Sequence, residues 1–137
     1  MALTHLVDTS VLTRVGSPTV RFALEPFLLA GAAARARITD LEIGYSARSA
    51  AEWDALHEAL DLLVLVETTA DHVRRAQRVQ RLLAERHQRG RKVPDLLIAA
   101  AAEEHGLTVL HYDADFDRIA KVTGQATQWI LRRGSMP

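Results

Sequence analysis

Short apolar runs alternate along the chain with longer segments in which apolar residues recur at helical spacing. The short runs predict buried strands at residues 3–7, 34–38, 62–66, 107–111 and 129–131. The longer segments predict helices at residues 11–15, 18–30, 39–48, 50–60, 71–89, 96–105 and 113–123. Strands that alternate with helices indicate a parallel sheet with helices on both faces. The pattern therefore predicts a fold of the α/β class.

Residues 93–120 contain the clearest succession of elements, a helix followed by a strand and a second helix. Pro94 disfavours the helical conformation in the residue before it, so we expect Val93 to be extended. Asp95 then lies where a helix cap or a first-turn acid belongs. Gly106 is well placed to end this helix, since glycine readily adopts the left-handed conformation found there.

Four acidic residues are expected at one edge of this sheet. Right-handed crossovers bring the carboxyl ends of parallel strands to the same edge, and ligands of open α/β sheets bind there. Asp8 and Asp113 each follow a predicted strand, whereas Glu42 and Asp95 lie near the starts of predicted helices. Each acid also has a purely structural explanation as a helix cap or turn acceptor. Thr39 and Glu42, for example, match a capping box.

Taken together, the four acids predict a metal site. Converging carboxylates repel one another, so one or more would be protonated at neutral pH unless a cation lay among them. The chain has no cysteine and its histidines are scattered, which leaves hard oxygen ligands that favour Mg²⁺ or Mn²⁺ over Zn²⁺. Such an ion binds a phosphodiester oxygen and lowers the pKa of water. The predicted chemistry is metal-assisted phosphoester hydrolysis with water as the nucleophile.

Length and charge define the context of this site. The 137 residues suit one domain, and we expect it to span residues 1–137. The 17 basic residues balance the 17 acidic ones, so nucleic-acid binding would have to come from local patches. No apolar run approaches the ~20 residues of a membrane span. Asp8 interrupts the region where a signal peptide would be apolar. We therefore expect a cytoplasmic protein without a membrane partner.

Four motifs, in this order, resemble those of the PIN domain, and more narrowly those of the VapC-type toxins of bacterial VapBC toxin–antitoxin pairs. The motifs are Asp8-Thr-Ser, Glu42 within Ile-Thr-Asp-Leu-Glu-Ile-Gly, Asp95 within Pro-Asp-Leu-Leu-Ile-Ala-Ala, and Asp113 within Tyr-Asp-Ala-Asp-Phe-Asp. The resemblance covers nearly the whole chain. It implies a three-layer αβα fold with a short, mostly parallel central sheet. It further implies an endoribonuclease that uses Mg²⁺ or Mn²⁺ to cleave single-stranded or looped RNA, forms a homodimer and is held inactive by a small VapB-like antitoxin.

The resemblance also implies roles for single residues. The residues that match the family's catalytic and metal-binding acids are Asp8, Glu42, Asp95 and Asp113, with Asp115 as a further metal ligand. Ser10 matches a hydroxyl that supports the first acid. His111 stands where the family usually has threonine or another small polar residue, which leaves a contribution of this histidine open.

The acids around the last predicted helix are expected to differ in importance. Asp113 follows the strand directly, and Asp115 lies in the first helical turn. Asp117 is carried further from the sheet edge by the helical rise of about 1.5 Å per residue. With Phe116 turned toward the core, Asp117 should face solvent.

Two other functions are compatible with the sequence. A catalytically silent PIN-like domain could bind RNA or serve as a scaffold, and a nuclease of the same fold could act on DNA. A basic surface on the predicted helix at residues 71–89 and on its exit could contact RNA phosphates or could form a solvated face. Its residues are Arg74, Arg75, Arg78, Arg81, Arg86, Arg89, Arg91 and Lys92. We favour the solvated face, because such charge runs commonly surround an apolar stripe.

Overall fold

A computed structural model describes residues 2–88 and 92–136. Within them the strands are β1 (His5–Val7), β2 (Ala33–Ala36), β3 (Val64–Val66), β4 (Thr108–His111) and β5 (Thr127–Trp129). The helices in the same residues are α1 (Thr9–Leu12), α2 (Pro18–Leu29), α3 (Arg37–Tyr45), α4 (Ala50–Leu60), α5 (Ala70–Glu85), α6 (Val93–Glu104) and α7 (Asp115–Thr123).

The strands form one sheet in the order β3-β2-β1-β4-β5, and every pair of neighbours is parallel. In the register of the two central strands, Val7 lies beside Leu110. The backbone N–H of Asp8 donates to the carbonyl of Leu110 at 2.8 Å, so the chain leaves both strands at the same level. The carboxyl ends of β1 and β4 therefore form one edge, as the sequence predicted.

Helices cover both faces of the sheet. On one face Leu6 and Val109 pack in a core with α5, α6 and α7. On the other face Val7 and Leu110 pack in a second core with apolar residues of α1, α2, α3 and α4. Consecutive strand residues point to opposite faces, so each central strand supplies both cores. The expected three-layer αβα fold is confirmed. In the residues described, no helix is both long enough and apolar enough to cross a bilayer.

Five helix starts differ from the sequence prediction by one to three residues, including α1, which starts at Thr9 rather than at residue 11, and α5, which starts at Ala70 rather than at residue 71. The first residue of α6 is Val93 rather than Leu96, so Val93 is helical and not extended as predicted. Pro94 is tolerated at the second helical position, because the N–H that it lacks would have no intrahelical partner there. The start of α3 is Arg37 rather than Thr39. The start of α7 is Asp115 rather than Asp113. Pro26 lies inside α2, which continues through it.

A buried ion pair fixes α3 against the sheet. The guanidinium of Arg35, in β2, donates from Nε to Oδ1 of Asp40 at 2.8 Å. Its Nη1 also donates to the carbonyls of Leu60 and Leu63, at 2.8 Å and 2.6 Å. One arginine thus joins β2, α3 and the connection from α4 to β3. This contact sets the position of Glu42, which lies two residues beyond Asp40 on the same helix.

Candidate active site

One cleft at the carboxyl edge of the sheet collects the predicted acids. Asp8, Glu42, Asp95 and Asp113 all line it, and its volume is about 440 Å³. Asp115 joins the group from the first turn of α7, where it offers a carboxylate oxygen within 4.8 Å of ligand atoms of Asp95 and Asp113. Residues that are far apart in the sequence therefore meet at one place.

Asp8 is the first acid of the cleft and follows β1 directly. Its Oδ2 accepts a hydrogen bond from the backbone N–H of Ser10 at 2.9 Å, which caps the short helix α1. Its Oδ1 is buried and accepts no hydrogen bond from residues 2–88 or 92–136. Burial raises the pKa of Asp8 to about 6, against the hydrogen bonds from Ser10, and the charges of Glu42 and Asp113 raise it further.

Asp95 occupies the third position of α6 and is only 4% exposed. Its Oδ2 is buried and accepts no hydrogen bond from the part of the chain that the structure describes. Burial, followed by the charge of Asp8, raises the pKa of Asp95 to about 8, although the charge of Lys92 lowers it. The cleft thus holds two carboxylates that bind protons more tightly than usual, and one oxygen of each accepts no hydrogen bond from the described residues.

Both carboxylate oxygens of Asp113 accept hydrogen bonds. Its Oδ1 accepts from the backbone N–H of Asp115 at 2.9 Å, and its Oδ2 accepts from Nζ of Lys92 at 2.8 Å. Burial alone would raise the pKa of Asp113. The hydrogen bonds from Lys92 and Asp115, together with the positive charge of Lys92, outweigh burial and lower this pKa. Asp115 in turn accepts a hydrogen bond from Arg118 at 3.2 Å.

Glu42 reaches the cleft from α3. Its Oε1 accepts a hydrogen bond from the hydroxyl of Thr9 at 2.7 Å, and the hydroxyl of Thr39 lies 3.1 Å from that of Thr9. The predicted capping box is wrong, because α3 starts at Arg37 and Thr39 lies inside its first turn. Glu42 is therefore oriented by Thr9 of the neighbouring helix α1 instead of by its own helix start.

Ser10 supports the first acid through its backbone. The N–H of Ser10 donates to Asp8, whereas its hydroxyl accepts from the backbone N–H of Tyr112 at 2.8 Å. The hydroxyl thereby joins the chain after β1 to the chain after β4. A side-chain hydrogen bond from Ser10 also lowers the pKa of Asp8, so the bond to Tyr112 leaves the implied hydroxyl support of Asp8 in place.

His111 turns away from the cleft. Its ring is fully buried and packs against Phe116 and Trp129, with centroids 5.0 Å and 4.9 Å away. Nδ1 accepts from the backbone N–H of Asp113 at 3.1 Å. Burial lowers the pKa of His111 to about 4, so the ring is neutral at pH 7. His111 therefore shapes the turn that presents Asp113.

The environment of Asp117 corrects another expectation. The carboxylate does not simply face solvent, because it accepts a hydrogen bond from Nε1 of Trp129 at 3.2 Å. Phe116 is fully buried, as predicted. Asp117 thus connects α7 to β5 and lies outside the set of acids that line the cleft.

Sequence reasoning did not place three basic or aromatic side chains in the cleft. Lys92, Arg14 and Tyr112 all line it. The guanidinium of Arg14 lies 4.8 Å from the ring centroid of Tyr112 and donates to the carbonyl of Ser10 at 2.7 Å. One signal was available in the sequence, because Lys92 is one of two lysines in an arginine-rich chain and lies three residues before Asp95.

Two arginines of α5 form ion pairs with nearby acids. Arg74 donates to Asp71 at 2.6 Å, and Arg75 donates to Glu103 of α6 at 2.7 Å. These partners offset the charges of the two arginines, while Arg89 and Arg91 of the predicted basic surface lie outside the described residues. The contacts support the solvated, ion-paired face that the sequence analysis favoured for these two arginines.

A second group of possible metal ligands lies where the first turn of α5 meets the C-terminal end of α6. His72, Glu104 and His105 offer ligand atoms within 4.8 Å of one another. However, Nδ1 of His72 accepts from the backbone N–H of Thr69 at 3.1 Å, which leaves the proton of the neutral ring on Nε2. That nitrogen donates to Glu104 at 3.0 Å. The group is therefore a hydrogen-bonded link between α5 and α6.

The acids of the cleft fit a hard divalent cation. Carboxylate oxygens are the ligands that Mg²⁺ and Mn²⁺ prefer, and the group lacks the thiolate and imidazole ligands that Zn²⁺ favours. The observation that supports this fit is the pair of buried oxygens, on Asp8 and Asp95, that accept no hydrogen bond within residues 2–88 and 92–136. A cation among them would offset both the repulsion and the burial that raise their pKa values.

Comparison with known proteins identifies the family. A model of the PIN domain matches residues 5–122. Ribonuclease VapC51 of Mycobacterium tuberculosis (strain ATCC 25618 / H37Rv) is 63% identical over 136 residues, which cover 99% of both chains. Ribonuclease VapC21 of Mycobacterium tuberculosis (strain CDC 1551 / Oshkosh) is 42% identical over 137 residues, with 98% of this chain and 99% of that relative covered.

Solved structures share the fold at low sequence identity. DNA-bound VapBC from Salmonella typhimurium superposes with a TM-score of 0.77 and 18% identity, covering 94% of this chain and 99% of that chain. VapBC2 from Rickettsia felis, bound to a fragment of promoter DNA, gives a TM-score of 0.75 and 15% identity, covering 94% and 98%. The fold is that of a PIN domain. The chain belongs to the PIN domain family and, within it, to the VapC ribonucleases.

Proposed function

We propose that this chain is the toxin of a type II toxin–antitoxin pair and a Mg²⁺- or Mn²⁺-dependent endoribonuclease. The observation that supports this most strongly is the pair of buried carboxylate oxygens, on Asp8 and Asp95, that lack hydrogen-bond donors among the described residues. They lie in a cleft with Glu42 and Asp113, in a chain that is 63% identical to a protein named as a ribonuclease. The reaction is hydrolysis of an RNA phosphodiester bond by water.

The residues proposed to hold the metal are Asp8, Glu42, Asp95, Asp113 and Asp115. When bound, the ion supplies positive charge beside the phosphodiester and makes water a stronger nucleophile at neutral pH. The chain contributes positioning: Thr9 orients Glu42, and Ser10 holds Asp8. Arg14 lies at the wall of the cleft, where it can contact a substrate phosphate.

Calorimetric titration with Mn²⁺ tests this proposal against a catalytically silent scaffold. The wild type should bind Mn²⁺ specifically, and Asp8→Asn should bind it much more weakly while remaining folded. Asp117→Asn is the matched control, because it also replaces an aspartate by asparagine but at a position on α7 outside the cleft. This variant should bind Mn²⁺ as the wild type does. Absence of specific binding by the wild type would favour the scaffold. Cleavage of DNA but not RNA in a substrate panel would favour the DNA-directed nuclease.

The proposal includes a VapB-like antitoxin as partner. The solved structures of similar fold come from VapBC complexes, which supports this choice. An apolar groove of about 320 Å³ between α1, α2 and α4 could receive an apolar segment of such a partner. Among the residues that line the groove are Leu12, Leu24, Leu28, Leu56 and Leu60.

Co-purification with the product of a small neighbouring gene tests this partner. Leu28→Asp should abolish the complex, because it places a charge in the apolar groove. Leu29→Asp is the control, since Leu29 is 80% exposed and lies outside the groove lining. Equal complex formation by both variants would exclude this groove as the docking surface.

We also propose that the toxin is a homodimer and that residues 1–137 fold as one PIN domain. Light scattering of the purified protein should give a mass near twice the 15.2 kDa of one chain. A mass equal to one chain, at the concentration used for cleavage, would contradict the dimer.

Calorimetric unfolding should show one transition, and two separate transitions would contradict the single domain.

A further inference from the structure

Lys92 places an ammonium group among the acids of the cleft. Its Nζ donates to Oδ2 of Asp113 at 2.8 Å and lies 3.9 Å from Oδ2 of Asp95. The Asp95 oxygen is the one that accepts no hydrogen bond from the described residues. The lysine side chain is thus directed to two acids that are proposed to hold the metal.

The position of Lys92 in its helix makes this arrangement informative. Lys92 is the N-cap residue of α6, and its side chain makes no capping hydrogen bond to the described chain. The N-terminal end of a helix carries partial positive charge, so a cation there is disfavoured. The helix therefore does not stabilise an ammonium group at this position, whereas the hydrogen bond to Asp113 does. The Lys92–Asp113 contact joins residues that are 21 positions apart.

We propose that Lys92 is a built-in counter-cation that competes with the divalent metal for Asp113 and Asp95. In the metal-free protein the ammonium offsets part of the repulsion among the acids. Binding of the metal breaks the Lys92–Asp113 hydrogen bond and releases the ammonium to the mouth of the cleft. This inference rests on the proposed metal site and adds a residue that lowers the apparent affinity of that site for metal.

Metal binding by two matched variants tests the competition. Lys92→Met removes the competing charge, whereas Lys121→Met removes the only other lysine, an exposed residue in the last turn of α7. Calorimetry with Mn²⁺ should show Lys92→Met binding at least about tenfold more tightly than the wild type, because a unit charge a few ångströms away acts strongly in a partly buried site. Lys121→Met should bind as the wild type does. Equal or weaker binding by Lys92→Met would overturn the inference.

A second measurement separates displacement from a charge effect that acts through space. The ammonium resonances of the two lysines can be followed by ¹⁵N NMR during titration with Mg²⁺, and the Lys121→Met variant assigns the signal of Lys92. Loss of the hydrogen bond should shift that signal and speed its proton exchange, while the signal of Lys121 stays constant. An unchanged Lys92 signal at saturating Mg²⁺ would contradict displacement even if Lys92→Met bound Mn²⁺ more tightly.

Asp95→Asn distinguishes failure of this inference from failure of the metal site. If the wild type binds Mn²⁺ and Asp95→Asn does not, the site stands and Lys92 is judged by its own variants. If neither the wild type nor Lys92→Met binds Mn²⁺, the metal site is wrong, and the inference about Lys92 is wrong with it.

Discussion

The hydroxyl of Thr9 donates a hydrogen bond to Oε1 of Glu42 at 2.7 Å. Thr9 belongs to α1 and Glu42 to α3, so this bond crosses between two elements that leave adjacent strands. It orients Glu42, the one glutamate among the described residues that line the cleft, and the charge of Glu42 raises the pKa of Asp8. A residue that is not among the proposed metal ligands thereby orients one that is.

Thr9→Val should weaken Mn²⁺ binding about tenfold, since loss of a group that orients a metal ligand typically costs 10–100-fold in affinity. The substitution keeps the size of the side chain and removes its hydroxyl. The increase in melting temperature at a fixed Mn²⁺ concentration provides the measurement. Thr19→Val, an exposed position on α2, should show the full wild-type increase. If both variants respond as the wild type does, Glu42 does not depend on Thr9 or does not bind the metal.

The stability of the metal-free protein should fall as pH rises through the range in which Asp95 ionises. Because the folded-state pKa is about 8 and the ordinary value is 3.8, the folded protein holds a proton that the unfolded chain has lost. The free energy of unfolding therefore decreases with pH across this window. His111, with its pKa lowered from 6.5 to about 4, gives the opposite slope below about pH 6.5. The interval from pH 6.5 to 8 lies above the titration of His111. Asp8, with its pKa raised to about 6, adds a smaller decrease at the lower end, so the contribution of Asp95 is obtained by comparison with Asp95→Asn.

Urea unfolding in EDTA across that interval should show a loss of about 2 kcal/mol for the wild type, at 1.36 kcal/mol for each pH unit. Asp95→Asn should show a nearly flat profile, because the asparagine does not titrate. Equal slopes for the two proteins would mean that Asp95 is already ionised in the folded state at neutral pH.

Removal of the buried acid Asp40 should destabilise the fold strongly. Asp40→Ala leaves the buried guanidinium of Arg35 without its carboxylate, and breaking such a pair costs about 3–5 kcal/mol. The free energy of unfolding in urea provides the measurement. Asp71→Ala breaks the exposed pair with Arg74 and should have little effect. A loss at Asp40 no larger than that at Asp71 would show that the Arg35 contacts with backbone carbonyls suffice.

The acids at the start of α7 should differ in their effect on cleavage. We expect the rate to fall most in Asp113→Asn, less in Asp115→Asn and little in Asp117→Asn. Asp113 lines the cleft and Asp115 lies within 4.8 Å of its ligand atoms, whereas Asp117 binds the indole of Trp129. Single-turnover cleavage of one RNA at saturating Mn²⁺ gives the order. An equal loss for Asp117→Asn and Asp113→Asn would contradict the placement of these acids.

The pattern of apolar residues was sufficient to predict the parallel sheet, its helical layers and the edge where the acids meet. It was less informative about helix starts, because Pro94 is tolerated in a first turn that needs no N–H donor. The hydrogen-bond partner of Glu42 could not be predicted from the sequence, because Thr9 becomes its neighbour only when α1 and α3 pack together. Lys92 and Arg35 carry charges whose partners depend on the same tertiary contacts.

RNA cleavage as a function of free Mn²⁺ concentration, compared between the wild type and Asp95→Asn, tests the central claim most directly. The wild type should be inactive in EDTA and reach full activity as Mn²⁺ saturates the cleft. Asp95→Asn should remain folded and should cleave at least about a hundredfold more slowly at every Mn²⁺ concentration, as expected when a principal electrostatic contribution is lost. Cleavage by the wild type in EDTA, or full activity of Asp95→Asn, would contradict a metal-dependent ribonuclease site at these acids.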